Sequence, residues 1–392
     1  MDKTVSILCV DDELDMKMLI TQKFRRKIKS KEFKFIFAQN GFQALEQLDK
    51  NPEVCLILSD INMPEMDGLT FLAKLKERKN PEIKTVMVSA YGDMENIRTA
   101  MNRGAFDFIT KPIDFEDMEI TIAKTLDEIE IFKKFMKDRD KLFSIQQDLT
   151  IANDIQQSML PKKYPAFPHR TDFELHGIVQ PAKSVGGDLY DYFLIDSDHL
   201  FFMVGDVSDK GISAALFMAI TKSIFKTNFS SNSNPDMVKE IMKINKVLSQ
   251  DNTSMMFVTF FACILDLKNG EVKYVDGGHE RPLIWRGGKK VEVFPKITGL
   301  PMCVDADFQY KQYQFNIHPG DSVILYSDGL EDAKNPEGIR RTLKPSIEIL
   351  ELIGPDKTSG EVNEKLMKEI NDYIDTADQF DDITLLTVKY YG

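Results

Sequence analysis

Two groups of acidic residues are placed where chemistry could be done, because each acid adjoins a short apolar run. In the first group, Asp11 and Asp12 follow "VSILCV" and Asp60 follows "VCLILS". Ser89 lies in "TVMVSA", and Lys111 follows "FDFIT" just ahead of Pro112. Carboxylates set side by side repel one another, and a hard divalent cation such as Mg2+ satisfies oxygen donors of this kind. One carboxylate of such a set could attack a phosphoryl donor while Lys111 and Ser89 bind the phosphoryl oxygens. A set of solvated turn acids is the competing reading, and it leaves the joint placement at strand ends unexplained.

The second group lies in the C-terminal half. Asp188 closes Gly186-Gly187-Asp188 in "GGDLYD", with Asp191 three residues on. Asp206 and Asp209 follow "FFMV", Asp328 follows "SVILYS", and Asp381 and Asp382 precede "ITLLTV". Any one of these segments also reads as a turn with a helix cap, since Asp accepts hydrogen bonds from free backbone N–H groups. Together they suit a carboxylate-only site for Mg2+ or Mn2+ and disfavour zinc, which would prefer His or Cys. Two such ions about 4 Å apart polarise a phosphate and activate a water, so no Ser or Cys nucleophile is needed.

The elements that must position these groups differ along the chain. In the first segment, buried strands alternate with helical patterns at "ELDMKMLITQKFRRKI", "NGFQALEQLD", "MDGLTFLAKLKER" and Met94 to Arg103. This alternation predicts a doubly wound, flavodoxin-like parallel sheet, whose sites form beyond the carboxyl ends of its strands. From Glu116 to Met159 there is no Gly or Pro. Apolar residues including Ile122, Leu126, Ile129, Leu142, Ile145, Leu149 and Ala152 recur at helical steps, interrupted by "KDRDK". One long helix, or two in series, is predicted, with a coiled-coil dimer covering its stripe. Beyond Pro168, strands dominate and Asn269-Gly270 marks a hairpin, so an α+β sandwich of antiparallel sheets flanked by helices is predicted. The expected multi-domain organisation is residues 1–118, a helical linker over 119–160, and 161–392.

Bulk properties bound the function. The 392 residues are 43% hydrophobic and 29% charged, with a net charge of −12, which argues against a nucleic-acid surface. No run approaches the about 18 apolar residues of a membrane span, and "MDKTVSILCVDDE" lacks a signal-peptide layout. Cys9, Cys55, Cys263 and Cys303 show no CxxC spacing, as expected of reduced thiols in a cytoplasmic protein.

Residues 3 to 120, with "CVDDE", "DINMPEMDG", "VSA" and "TKP" in order, resemble the response-regulator receiver domain. The resemblance implies Asp60 as phosphoacceptor, and Asp12, Asp60 and the Asn62 carbonyl as Mg2+ ligands with Asp11 beside them. It implies Ser89 and Phe108 as the hydroxyl and aromatic switch residues, and Lys111 as the pocket lysine. Lys111-Pro112 is an expected cis peptide.

Residues 150 to 392 resemble the metal-dependent protein phosphatases of the PPM (2C) type, in the SpoIIE- and RsbU-like branch. They do so through "ANDIQQSMLP", "GGDLYDYF", "GDVSDKGISAALFMA", "FVTFFACILD", "VDGGHERPLIW", "TGLPM", "LYSDGLEDAKN" and "FDDITLL". This resemblance implies that Asp206 bridges two Mn2+ or Mg2+ ions, that the Val207 carbonyl completes one site, and that Asp328 and Asp381 complete the other. Asp188 would act through water, with Asp191 as a possible helper. Asp382 is the alternative to Asp381, and Asp209 is a turn residue. Where relatives carry Arg before Gly-Gly-Asp, this chain has Lys183, a point charge that could touch substrate phosphate. His279 in "DGGHERP" is expected to be structural.

The two resemblances together imply a two-component response regulator with a protein serine/threonine phosphatase as output. Its partners would be a sensor histidine kinase or phosphotransfer protein, a second copy through the linker helix, and a phosphorylated STAS-domain anti-sigma-factor antagonist. Sigma-factor regulation by partner switching would follow, with no nucleic-acid binding and no membrane insertion. The alternative is a non-catalytic module of the same fold that sequesters an antagonist or anti-sigma factor.

Overall fold

The computed structural model describes residues 4–78, 80–90, 92–231, 235–295 and 299–392, so Thr298 of "TGLPM" lies outside the described residues. The chain divides into two compact units, Met1–Ile145 and Gln146–Gly392.

In the first unit, β1 (Val5–Val10), β2 (Phe33–Ala38), β3 (Val54–Asp60), β4 (Lys84–Ala90) and β5 (Asp107–Lys111) form one sheet in the order β2-β1-β3-β4-β5. All of its pairings are parallel. Helices α1 (Leu14–Lys23), α2 (Arg25–Lys29), α3 (Gly41–Lys50), α4 (Gly68–Glu77) and α5 (Met94–Asn102) connect the strands. The central strands are nearly continuous apolar runs because helices cover both faces of a parallel sheet. Local signals agree with this pattern: Asn40 caps α3 by accepting from the Gln43 N–H, and Asp67 caps α4 by accepting from the Thr70 N–H.

A single helix, α6, runs from Phe115 to Met159. Its first turns belong to the core of the first unit, where Met118, Ile122 and Ile129 pack with Ile7, Leu56 and Ile109. Farther along, Phe135, Leu142, Phe143, Ile145, Ile151 and Ile155 are exposed.

The second unit is two antiparallel sheets with helices outside them. One sheet has the order β13-β10-β9-β8-β7, from β7 (Leu189–Leu194), β8 (His199–Val207), β9 (Val258–Asp266), β10 (Glu271–Asp276) and β13 (Tyr313–Asn316). The other has the order β12-β11-β14-β15-β6, from β6 (Phe173–Gln180), β11 (Leu283–Arg286), β12 (Lys290–Val293), β14 (Ser322–Tyr326) and β15 (Ile383–Tyr390). Strand alternation divides the side chains between layers. Leu200, Phe202 and Val204 of β8 face Leu325, Leu386 and Val388 across the sandwich. Phe201 and Met203, their neighbours in sequence, pack outward on Met218 and Phe225 of α7 (Ile212–Ser230) and Ile241 of α8 (Met237–Gln250). On the far side, Ile324, Tyr326 and Leu385 pack on α10 (Lys344–Ile353) and α11 (Ser359–Ile374). A one-turn helix, α9 (Gly329–Asp332), follows β14.

Four strands are absent from the sequence-based expectation: β2, β7, β12 and β13. All four are sheet edges, and in β2, β12 and β13 few residues are buried. Helices α9 and α10 are also additions. The hairpin expected at Asn269-Gly270 joins β9 to β10, with Gly270 at φ 74°. Among the described residues no helix is long and apolar enough to cross a membrane. Cys9 and Cys263 are buried thiols.

Candidate functional site

The parallel sheet delivers its acids to one edge. Carboxylate oxygens of Asp11, Asp12 and Asp60 lie within 4.8 Å of one another. Lys111 Nζ donates to Asp60 Oδ2 at 2.6 Å and pairs with Asp11 Oδ2 and Glu13 Oε1, each at 3.2 Å. Burial acts to lower the Lys111 pKa, but the bond to Asp60 and the charges of Asp60 and Asp11 outweigh it and hold it above its usual range. Burial raises Asp11, with the Glu13 N–H and Lys111 in opposition. Asp60 is buried, and its Oδ1 accepts from the Asn62 N–H at 3.3 Å. The Ser89 hydroxyl is fully buried and has no hydrogen-bond partner among the described residues. It sits on the strand next to that of Asp60, so it is a donor available to an oxygen placed there. Phe108 is 36% exposed at the adjacent edge strand. The Lys111-Pro112 peptide is cis, as expected.

The second acid set converges from four chain segments. Asp188, ahead of β7, is buried, and its Oδ2 accepts from the hydroxyls of Ser327 and Thr384, both at 2.6 Å. Asp206 lies near the end of β8. Burial pushes its carboxyl up to about 8, helped by the charges of Asp328 and Asp381 and resisted by a hydrogen bond with Asp188. Asp188 is raised well above its usual range by burial and then by Asp206 and Asp382. Asp328 is raised by burial, then by Asp381 and Glu280. Burial and mutual repulsion disfavour the charged form of these carboxyls, and a bound cation would favour it.

The adjacent pair Asp381 and Asp382 have different surroundings. Asp382 is buried, and its carboxylate accepts from the N–H groups of Ala182 at 2.8 Å, Gly187 at 2.7 Å and Asp188 at 3.4 Å. It therefore ties down the loop that presents Asp188. The Asp381 carboxylate pairs instead with Lys210 at 2.8 Å, facing Asp206 and Asp328. The two glycines before Asp188 are demanded by close approach. A Cβ at Gly186 would lie 2.2 Å from Asp382 Oδ2, and one at Gly187 would lie 2.7 Å from the Val207 carbonyl and 3.4 Å from Asp206 Oδ1. Gly187 thus keeps clear the space beside the Val207 carbonyl. Gly187→Ala is expected to destabilise the second unit by about 1–3 kcal/mol, because the added Cβ would crowd a backbone carbonyl. Thermal unfolding would measure this, and a wild-type melting temperature would refute it.

Other expected residues fall elsewhere. Asp191 is buried and paired with Lys222 at 2.5 Å, itself buried, so its carboxylate is committed to a structural ion pair. Asp209 is exposed in the turn at φ 69°, and Lys183 is exposed. His279 is half-buried, and its Nδ1 lies 2.8 Å from the Thr259 hydroxyl, on the strand beside Asp206. Burial lowers His279 to about 4, which makes it a neutral hydrogen-bonding strut.

Sequence reading overlooked the roles of Ser327, Thr384 and Gln156. The first two stand inside the quoted motifs "LYSDGLEDAKN" and "FDDITLL", and the signal was a hydroxyl within two residues of an acid. Gln156, in the last turn of α6, is buried and bonds Gly186 in both directions. Its Nε2 donates to the Gly186 carbonyl at 2.7 Å, and its Oε1 accepts from the Gly186 N–H at 3.1 Å. Nothing in "ANDIQQSM" separates it from the neighbouring Gln157.

Comparison with known proteins agrees with this division. The family model described as Stage II sporulation protein E (SpoIIE) matches residues 196–391, and that described as Response regulator receiver domain matches residues 7–123. Protein IcfG of Synechocystis sp. is 28% identical over 312 residues, 70% of this chain and 48% of that protein. This chain therefore spans about half the length of that relative. Phosphoserine phosphatase RsbU of Bacillus subtilis is 26% identical over 248 residues, 62% of this chain and 70% of that protein. The solved SiaA-PP2C domain of Pseudomonas aeruginosa superposes with a TM-score of 0.53 at 18% identity, covering 64% of this chain and 98% of that one. That likeness is one of fold.

Proposed function

Because this chain belongs to the Stage II sporulation protein E (SpoIIE) family and carries a response regulator receiver domain, we propose that it is a metal-dependent phosphoserine/phosphothreonine protein phosphatase governed by phosphorylation of Asp60. The observation that carries the reading is the convergence of Asp188, Asp206, Asp328 and Asp381 at one place, where burial first and the neighbouring acids second raise the carboxyls of Asp188, Asp206 and Asp328. A donor set of carboxylates and one carbonyl, with a cradle kept open by Gly187, fits hard divalent ions. Asp206 would bridge two Mn2+ or Mg2+ ions, Val207 would complete one site through its carbonyl, and Asp328 and Asp381 would complete the other. Bound there, the ions would supply polarisation of the phosphate and activation of water. The chain's own contribution is positioning. Ser327 and Thr384 orient Asp188, which would act through a water. Asp382 holds the loop bearing Asp188, and His279 braces the strand beside Asp206.

In the receiver, Asp60 would take a phosphoryl group from a sensor histidine kinase or phosphotransfer protein. Asp11, Asp12, Asp60 and the Asn62 carbonyl would hold Mg2+, and Lys111 and Ser89 would bind the phosphoryl oxygens. Helix α6 supplies the route onward. It is continuous from the receiver core to Gln156, and Gln156 grips the Gly186 backbone two residues before Asp188. Its exposed apolar residues suit a homodimer through residues 119–160. We assign the substrate to the phosphorylated STAS-domain class of anti-sigma-factor antagonists, with release of a sigma factor as the outcome and the cytoplasm as the setting.

The test is phosphate release from a phosphorylated STAS protein with Mn2+, with and without a small-molecule phosphodonor. Turnover that needs Mn2+ and changes with the donor is expected. Tight antagonist binding without any turnover would replace the enzyme with the sequestering module.

A further inference from the structure

Three loops carry ligand acids of the phosphatase site, and each contributes one member of a second cluster. Lys210 follows Asp206, Lys334 follows Asp328, and Phe380 precedes Asp381. Lys210 Nζ donates to the Phe380 carbonyl at 2.6 Å, pairs with Asp381 Oδ2 at 2.8 Å, and lies over the Phe380 ring, 4.6 Å from its centroid. Lys334 Nζ lies over the same ring at 3.9 Å. The ring is 46% exposed, so an aromatic side chain and two ammonium groups stand in water at the edge of the acid cluster. A ring face holds an ammonium by its quadrupole and limits the rotamers that a free lysine would sample.

A phosphoryl dianion approaching four carboxylates in a chain of net charge −12 is repelled until cations offset them. A compact ammonium within hydrogen-bond reach of a ligand carboxylate is close enough to share that work and to touch the phosphoryl oxygens. Lys183, expected in this capacity, and Lys210 are both exposed, and Lys210 is bonded to a member of the acid set. We propose that Lys210 is the phosphoryl-binding cation of this site, fixed by Phe380 and seconded by Lys334. The assignment deepens the phosphatase reading and rests on it for the identity of the substrate.

The experiment uses the full chain loaded with Mn2+ and inorganic phosphate as the probe, with binding followed by calorimetry. Mn2+ affinity is measured separately by thermal-unfolding titration. Lys210→Met is expected to weaken phosphate binding by about 10- to 100-fold, the size of a lost charge-assisted hydrogen bond. It should raise KM for a phosphoserine protein in step while leaving Mn2+ affinity within about twofold. Lys210→Arg should restore most of the loss, and Lys334→Gln should weaken phosphate by a smaller factor. Unchanged phosphate affinity in Lys210→Met, or a loss that follows Mn2+ affinity instead, would overturn the assignment. Wild-type protein that binds phosphate through Lys210 yet hydrolyses no phosphoprotein would sink the phosphatase reading and leave Lys210 as an anion-binding residue.

Discussion

Replacing Asp206 with Ala is expected to abolish Mn2+-dependent phosphate release, lowering kcat by about 1000-fold or more. The magnitude follows from the several kcal/mol of charge stabilisation that bound metal ions contribute, at about 1.4 kcal/mol per tenfold in rate. Asp206 is the natural centre of the set because it interacts with Asp188, Asp328 and Asp381. The variant Asp206→Asn carries a second readout of opposite sign. An amide removes the cost of burying an ionisable group beside other acids, so the metal-free variant is expected to melt at or above the wild-type temperature. Adding Mn2+ should no longer stabilise it. Retained turnover, or undiminished stabilisation by Mn2+, would remove Asp206 from the ligand set.

Asp60→Asn is expected to eliminate both phosphoryl uptake by the receiver and the change in phosphatase turnover that a phosphodonor produces. Basal turnover with Mn2+ should persist, because the acids of the second unit are untouched. The amide keeps the shape of the carboxylate but removes the charge to which Lys111 donates at 2.6 Å. The measurement is the ratio of phosphate-release rates with and without the donor, together with incorporation of labelled phosphate. A donor response that survives in Asp60→Asn would mean that control enters elsewhere, and the receiver would lose its assigned role. A lost response combined with lost basal turnover would point to a folding defect, which Ser89→Ala would separate. That variant deletes the unpartnered buried hydroxyl and leaves the Asp60–Lys111 pair in place.

Much of the architecture was legible in the chain because strong local signals agreed with the fold. The runs "VSILCV", "VCLILS" and "SVILYS" are central strands, and a buried centre demands uninterrupted apolar residues. Edge strands escaped notice for the converse reason. In "FKFIFA" only Phe33 and Ala38 are buried, and "YQFN" has no buried residue. Helix α6 was legible as one or two helices, and its continuity through "KDRDK" shows that a charged patch interrupts an apolar stripe without interrupting the backbone hydrogen bonds.

Acid type and strand-end position are properties of the chain itself, and they were enough to mark Asp11, Asp12, Asp60, Asp188, Asp206, Asp328 and the pair Asp381 and Asp382 as candidates. Partnership is not such a property. Asp381 and Asp382 are indistinguishable in sequence, yet one faces Lys210 and the other is bound by three backbone N–H groups. Asp191 stands three residues from Asp188, but strand geometry turns it to Lys222. Ser327 and Thr384 meet Asp188 only because β14 and β15 are adjacent in the sheet that faces it. Local physics sets which residues can ionise, cap or coordinate. Which of them meet depends on long-range strand pairing, and that was decided only when the two sheets packed.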